Sequence, residues 1–337
     1  NTRPSCLHWP LRQPDPTCHL LVQQSRRFKA AVAWRPRQTG AMRLPGDIGL
    51  GMEFGKVSSR FHIPGDVIIA TGMVDQDLIS RVLQAPRPLL VLNRELGFDE
   101  VDCAVLRDVG ERLVGLEVTG SFRDDTDVHW CSNLQELNLN SDCRGGVDWT
   151  GLGSLSHLFV YADRLSETFP SLGKLQFLQV YGASDEQAGF ASSLPGLEDL
   201  TLISSRIRTI ESITGLRESL TSLSIRQASA LQDFSGLSRF RLLRRLLLES
   251  CRHLSSLEFV SNMPDLEVLS VSDCGSIQSL RPLEGCLRLE RLHFYGSTNV
   301  QDGDLSVLGL LPDLRGAYFQ RRRHYRAVPG RFPTMDD

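Results

Sequence analysis

Three sets of residues in this 337-residue chain carry side chains able to do chemistry: His129-Trp130-Cys131, the cysteines Cys251, Cys274 and Cys286, and a basic knot of Arg321–Arg323, His324 and Arg326. A thiol beside an imidazole is the beginning of a nucleophilic site, but such a site also needs a base and an acid that orients it. Neither can be assigned for Cys131. The three later cysteines offer soft metal ligands, yet a zinc site wants more ligands at suitable spacing, and small buried thiols are the better account. The basic knot is chemistry for an acidic partner or a phosphate, although a solvated terminal cap explains it more simply. The sequence has no Gly-x-x-x-x-Gly-Lys-Ser/Thr loop, no Gly-x-Ser-x-Gly elbow and no His-Glu-x-x-His, the short signatures of phosphate binding, acyl transfer and zinc hydrolysis. These residues therefore point away from an enzyme and call for no cofactor or metal.

Charge and composition narrow the partners. Residues 1–43 hold eight Lys/Arg against the single acid Asp15, so a net charge of -3 leaves the remainder near -10. An acidic body repels phosphate backbones, and no nucleic-acid partner is expected. No apolar run approaches the roughly 18 residues that span a bilayer, so no membrane segment is expected. The N-terminus lacks the pattern of a secretory signal, there is no Asn-x-Ser/Thr sequon, and the eight cysteines fall without CxxC pairing. A cytoplasmic protein with reduced thiols follows.

Four regions follow from the texture of the chain. Residues 1–45 are rich in Pro and Arg without a helical or strand period, and read as a disordered basic arm, with Met42 or Met52 as alternative starts. Residues 46–112 read as an N-terminal cap. It has β-like pieces at Phe61–Ile63 and Val67–Ala70, an amphipathic helix over Asp75–Gln84 that aligns Leu78, Ile79, Val82 and Leu83, and a degenerate repeat at Leu89–Leu92. Residues 113–320 then repeat L-x-x-L-x-L ten times, from Leu113, Leu134, Leu155, Leu175, Leu197, Leu220, Leu243, Leu266, Leu289 and, more weakly, Leu314. Successive copies start 21, 21, 20, 22, 23, 23, 23, 23 and 25 residues apart. Residues 321–337 form a basic tail or cap. Alternation within each copy marks a short strand with one buried face, and about 20 residues then return the chain to start a parallel neighbour. Apolar spacing near three on the return legs, as in Ile207, Ile210, Ile213 and Leu216, suits 3₁₀ turns or extended segments.

Residues 113–319 thereby resemble the leucine-rich-repeat family. The spacing, with text such as Leu197-Glu-Asp-Leu-Thr-Leu-Ile-Ser-Ser-Arg-Ile-Arg-Thr-Ile, is most similar to its short-repeat, phosphatase-regulator-like and internalin-like class. The resemblance implies an α/β solenoid: a curved array with a concave parallel β-sheet of about ten strands and short 3₁₀ or extended return legs. The ninth position departs from the family's Asn, with Ser121, Asp142, Asp163, Ala183, Ser205, Ala228, Cys251, Cys274 and Ser297 in its place. That departure fits a divergent, bacterial-style array with irregular turns.

The positions between the buried leucines line up as three rows on the open face. Strands about 4.8 Å apart should bring Phe159, Tyr161, Phe177 and Tyr181 into one exposed aromatic cluster extended by Ile203, with a second cluster of His293, Tyr295 and Tyr318. Arg226, Arg245, Glu249 and Arg291 add mixed charge, of which Arg226 and Glu249 are placed to pair. Exposed aromatics anchor interfaces because they bury much area with few torsions to freeze. The expected function is a non-catalytic adaptor or scaffold that recognises a protein or peptide on its concave face. Two alternatives are a regulatory or inhibitory subunit of an enzyme, and a substrate-selecting repeat of an enzyme whose catalytic part would lie in residues 46–112.

Overall fold

Apolar residues two apart in an extended segment share one face, the first leucine of each copy joins them from the turn before the strand, and no single coil can bury that face alone. Stacking is therefore obligatory, and the computed structural model, which describes residues 61–143, 147–165, 172–189, 193–327, 330 and 332, realises it in one sheet. The arm assigned to residues 1–45, and residues 46–60, lie outside the described residues.

Twelve parallel strands follow one another in chain order: β1 (Asp66–Ile69), β2 (Pro88–Asn93), β3 (Gly115–Gly120), β4 (Glu136–Ser141), β5 (His157–Tyr161), β6 (Phe177–Tyr181), β7 (Asp199–Ile203), β8 (Ser222–Arg226), β9 (Arg245–Glu249), β10 (Val268–Ser272), β12 (Arg291–Tyr295) and β14 (Gly316–Phe319). The short β11 (Ser276–Ile277) and β13 (Asn299–Val300) pair separately. Ten of the twelve are the repeat copies; β1 and β2 extend the sheet beyond the expected ten. Phe61–Ile63 is not a strand, for pairing begins only at Asp66. The helix α1 (Gln76–Gln84) is capped by Asp75, whose carboxylate accepts the Leu78 N–H at 2.8 Å, and buries Leu78 and Val82, while Leu83, expected on the same side, is exposed.

The pairing is strictly in register. Leu116, Leu137, Leu158, Leu178, Leu200, Leu223, Leu246, Leu269 and Leu292 stand opposite one another, strand after strand, and all are buried. Behind them pack the return legs, most of them 3₁₀ turns such as Ile210–Leu216, Ser235–Arg239, Glu258–Asn262 and Arg281–Gly285. Such turns take more room per coil than a strand, so the stack curves with the sheet on its inner, concave side.

Two devices replace the missing Asn ladder. Where the legs begin, a side chain two residues back accepts a main-chain N–H: Asp124, Asp148, Asp233 and Asp304 accept from Thr126, Thr150, Ser235 and Ser306 at 2.9–3.0 Å. Thr209, Ser256 and Ser279 do the same for Glu211, Glu258 and Arg281 at 3.1–3.2 Å. These local turns compete with helix and so hold the legs short. At the inner turn, buried thiols donate to backbone carbonyls, Cys274 to Ser272 O at 3.2 Å and Cys143 to Phe122 O at 3.0 Å. In the first three coils the inward residue is not the ninth but the tenth, Phe122, Cys143 and Arg164: β3 and β4 each run to six residues, and in the third coil a 3₁₀ turn over Ala162–Arg164 follows β5 directly. Ser121, Asp142 and Asp163 are therefore exposed.

Arg164 and Asp125 form an ion pair with both side chains 1% exposed, and Ser141 donates its hydroxyl to the same carboxylate. The three residues come from three successive coils and join them. Removing one member strands a buried charge, so Arg164→Ala is expected to lower the unfolding free energy by about 3–5 kcal/mol. Urea denaturation checks this; a loss under about 1 kcal/mol, the scale of a surface pair, contradicts it.

Candidate functional site

The register turns the three rows of outward residues into geometry. His157, Phe177, Asp199, Ser222, Arg245, Val268 and Arg291 are neighbours in the first row, Phe159, Gln179, Thr201, Ser224, Leu247, Ser270 and His293 in the second, and Tyr161, Tyr181, Ile203, Arg226, Glu249, Ser272 and Tyr295 in the third.

The expected four-ring cluster is present but divided. Phe159 and Phe177 pack with centroids 4.9 Å apart, and Tyr161 and Tyr181 with centroids 5.3 Å apart. Phe159 is only 7% exposed, whereas Tyr161 is 42% exposed. The cause is a segment that approaches from the N-terminal side. His62 stacks on His157, Phe159 and Phe177 at centroid distances of 5.5, 5.1 and 5.3 Å. Glu136, fully buried in the first row, accepts the main-chain N–H of His62 at 2.7 Å and of Ile63 at 3.1 Å, and its other oxygen meets His62 Nδ1 at 3.1 Å. Phe61 completes the cover, packing with Leu89 and Val91 where β2 is buried on both faces. Tyr161, Tyr181 and Ile203 stay at least partly open in the third row, with the Tyr181 hydroxyl accepting from Gln179 Nε2 at 2.7 Å.

The centre of the face is a floor of small buried hydroxyls, Thr201, Ser222, Ser224, Ser270 and Ser272, crossed by two ion pairs. Arg226 pairs with Glu249 at 2.6 Å, the neighbour its row position assigns, and Arg245 reaches two strands back to Asp199 at 3.4 Å. Both pairs are substantially exposed, so each is worth roughly 0–1 kcal/mol. At the far end His293 meets Tyr318 edge to face at 4.9 Å, and the Tyr318 ring lies over Gly316, where a Cβ would come within 2.7 Å of it. Tyr295 is 37% exposed, and Arg291 is half-buried in the first row.

Burial governs most of the titration here. It pushes the Asp199 carboxyl and the Tyr161 and Tyr181 phenols up and the His157 and His293 imidazoles down. His62 goes the other way, raised by its hydrogen bond to Glu136. Among the described residues no group of three His, Cys, Asp or Glu is arranged to hold a metal ion. The Cys131 thiol is buried and pushed up to about 12, and the His129 imidazole is engaged with Thr126 O at 2.7 Å. That pair therefore presents no thiolate at neutral pH. In the basic knot Arg322 donates to the carbonyls of Gly296 and Thr298 at 2.9 and 3.1 Å, and His324 to that of Val300 at 2.9 Å.

His62, and its hydrogen bonds to Glu136, are what a row-by-row reading misses. Glu136 and Asp199 were legible as outward positions; nothing in the text ties Glu136 to a residue 74 positions earlier.

No protein-family model and no curated protein matches this chain. Solved structures overlap it weakly. An internalin from Listeria monocytogenes is 16% identical, with 74% of this chain and 79% of that chain covered, at a TM-score of 0.47. A leucine-rich-repeat protein of Leptospira interrogans is 14% identical, with coverage of 78% and 70% and a TM-score of 0.40. The ectodomain of a plant membrane receptor kinase from Arabidopsis thaliana is 17% identical, with coverage of 75% and 32% and a TM-score of 0.43. Overlaps of this size say nothing of function.

The folded-state pKa of His62 is raised, so its contribution to stability is complete below the unfolded imidazole value of about 6.5 and is lost as pH rises through the folded value. The stability gap between the wild type and His62→Gln is accordingly expected to widen as pH falls from about 8 to about 6, read by chemical denaturation at each pH. A gap that is flat or narrows over that interval contradicts the Glu136 contact.

Proposed function

We propose that this chain is a non-catalytic recognition module that binds a protein or peptide on its strand face. The observation that carries the reading is the open third row: Tyr161, Tyr181 and Ile203 side by side, then Arg226 and Glu249, with Tyr295 beyond. The fold needs none of these side chains. Its core is the leucine ladder behind the sheet, and aromatic rings left on the solvent side of a preformed surface are the residues from which interface hot spots are made. Phe159 and Phe177 support the row from beneath His62, while in the first row Arg245 is paired with Asp199 and Arg291 adds positive charge, and His293 and Tyr318 form the distal ring pair.

The six cysteines among the described residues are buried and free, which fits a reducing compartment such as the cytoplasm. No helix among the described residues is long and apolar enough to cross a membrane.

Tyr161→Ala combined with Tyr181→Ala is expected to weaken capture of the partner at least tenfold, about 1.4 kcal/mol, while leaving the thermal midpoint within a few degrees. Quantitative mass spectrometry of proteins retained by immobilised wild-type and doubly substituted chains makes the comparison. Identical recoveries reject the third-row site.

A further inference from the structure

The contacts made by Phe61, His62 and Ile63 have the form of a bound peptide rather than of a piece of the sheet. The segment belongs to no strand, and the main-chain N–H groups of His62 and Ile63 both donate to one side chain, Glu136, instead of to a ladder. The His62 ring is inserted against three others, His157, Phe159 and Phe177, beside a carboxylate with no exposure of its own. His62 itself remains 48% exposed at its outer edge. Gly65 fixes where the chain turns onto the face, for a Cβ there would lie 2.6 Å from the Arg87 carbonyl oxygen and 2.7 Å from Leu89.

We infer that Phe61–Ile63 is an intramolecular occupant of a peptide-binding subsite made by Glu136, His157, Phe159 and Phe177, and that a partner segment of matching chemistry takes its place. This rests on the recognition reading given above and specifies the partner. The subsite offers a buried anion that accepts two successive main-chain N–H groups, and a flat wall of rings. It therefore fits an extended segment carrying an imidazole between apolar residues. The carboxylates of Glu136 and Asp199 border it, and Arg245 is occupied by Asp199, so an acidic side chain is repelled where an imidazole is held. The tethered segment competes at the high effective concentration of any short linker, so trans binding is weak until the tether's side chains are removed.

The test uses the full chain and a fluorescein-labelled peptide with the sequence of residues 59–66, Ser-Arg-Phe-His-Ile-Pro-Gly-Asp. Fluorescence anisotropy is expected to show binding to the Phe61→Ala/His62→Ala variant at least tenfold tighter than to the wild type. Adding Glu136→Gln should weaken it at least tenfold, and so should replacing the peptide's histidine with aspartate. His62→Ala alone, which keeps Phe61 packed on Leu89, serves if the double variant loses its cooperative melt. A variant that melts cooperatively yet binds the peptide no better than the wild type, or binds the aspartate peptide equally well, overturns the inference and leaves the segment a fixed cap. Tyr161 and Tyr181 are untouched in every arm, so this failure is separate from failure of the third-row site.

Discussion

A leucine that must be buried on one face of a short strand, with too little chain in its own coil to bury it, is the constraint from which the rest of this molecule follows. Each of Leu116, Leu137, Leu158, Leu178, Leu200, Leu223, Leu246, Leu269 and Leu292 is covered by its equivalents in adjoining coils and by the return leg behind. Slipping one strand by a residue would turn its leucine to solvent and expose its partner. The register is therefore locked, and with it the line-up of every residue that points the other way. A stacked array converts a requirement of the core into an ordered surface.

That surface is uneven. At the N-terminal end the sheet is buried on both sides, with Leu89 and Val91 of β2 beneath Phe61 and Glu136 beneath His62. In the middle small hydroxyls and two ion pairs keep it shallow and polar. Along the third row Tyr161, Tyr181 and Ile203 leave apolar area at the surface. The division follows from row and strand: Phe159 and Phe177 sit in the rows that the N-terminal segment crosses, and the two tyrosines, two and four residues further along their strands, do not.

The sheet, its register and the 3₁₀ legs were legible because they rest on a period, and a period is visible in a single sequence. The Arg226–Glu249 pair was legible for the same reason, being adjacent in one row. What escaped was of another kind. The Asp- and Ser-led turns that open the return legs are a weak motif, hidden beneath the stronger leucine signal. The inward position of the first three coils was misassigned by one, because β3 and β4 are longer than the later strands and a 3₁₀ turn follows β5 directly, so Phe122, Cys143 and Arg164 take the place expected of Ser121, Asp142 and Asp163. The cover over Phe159 is a contact between residues nearly a hundred positions apart, and no local pattern specifies it.

The alignment of rows across coils is the claim on which both the recognition face and its internal occupant depend, and engineered cross-linking reads it directly. Cysteines at Ser222 and Arg245, which are register partners, should lie about 4.8 Å apart at Cα and close a disulfide under mild oxidation. Cysteines at Ser222 and Leu247, on the same face but two residues out of step, should lie about 8 Å apart and stay reduced. Mass spectrometry of the oxidised chains is predicted to find the first bridge alone; equal bridging in both, or bridging only in the second, contradicts the account.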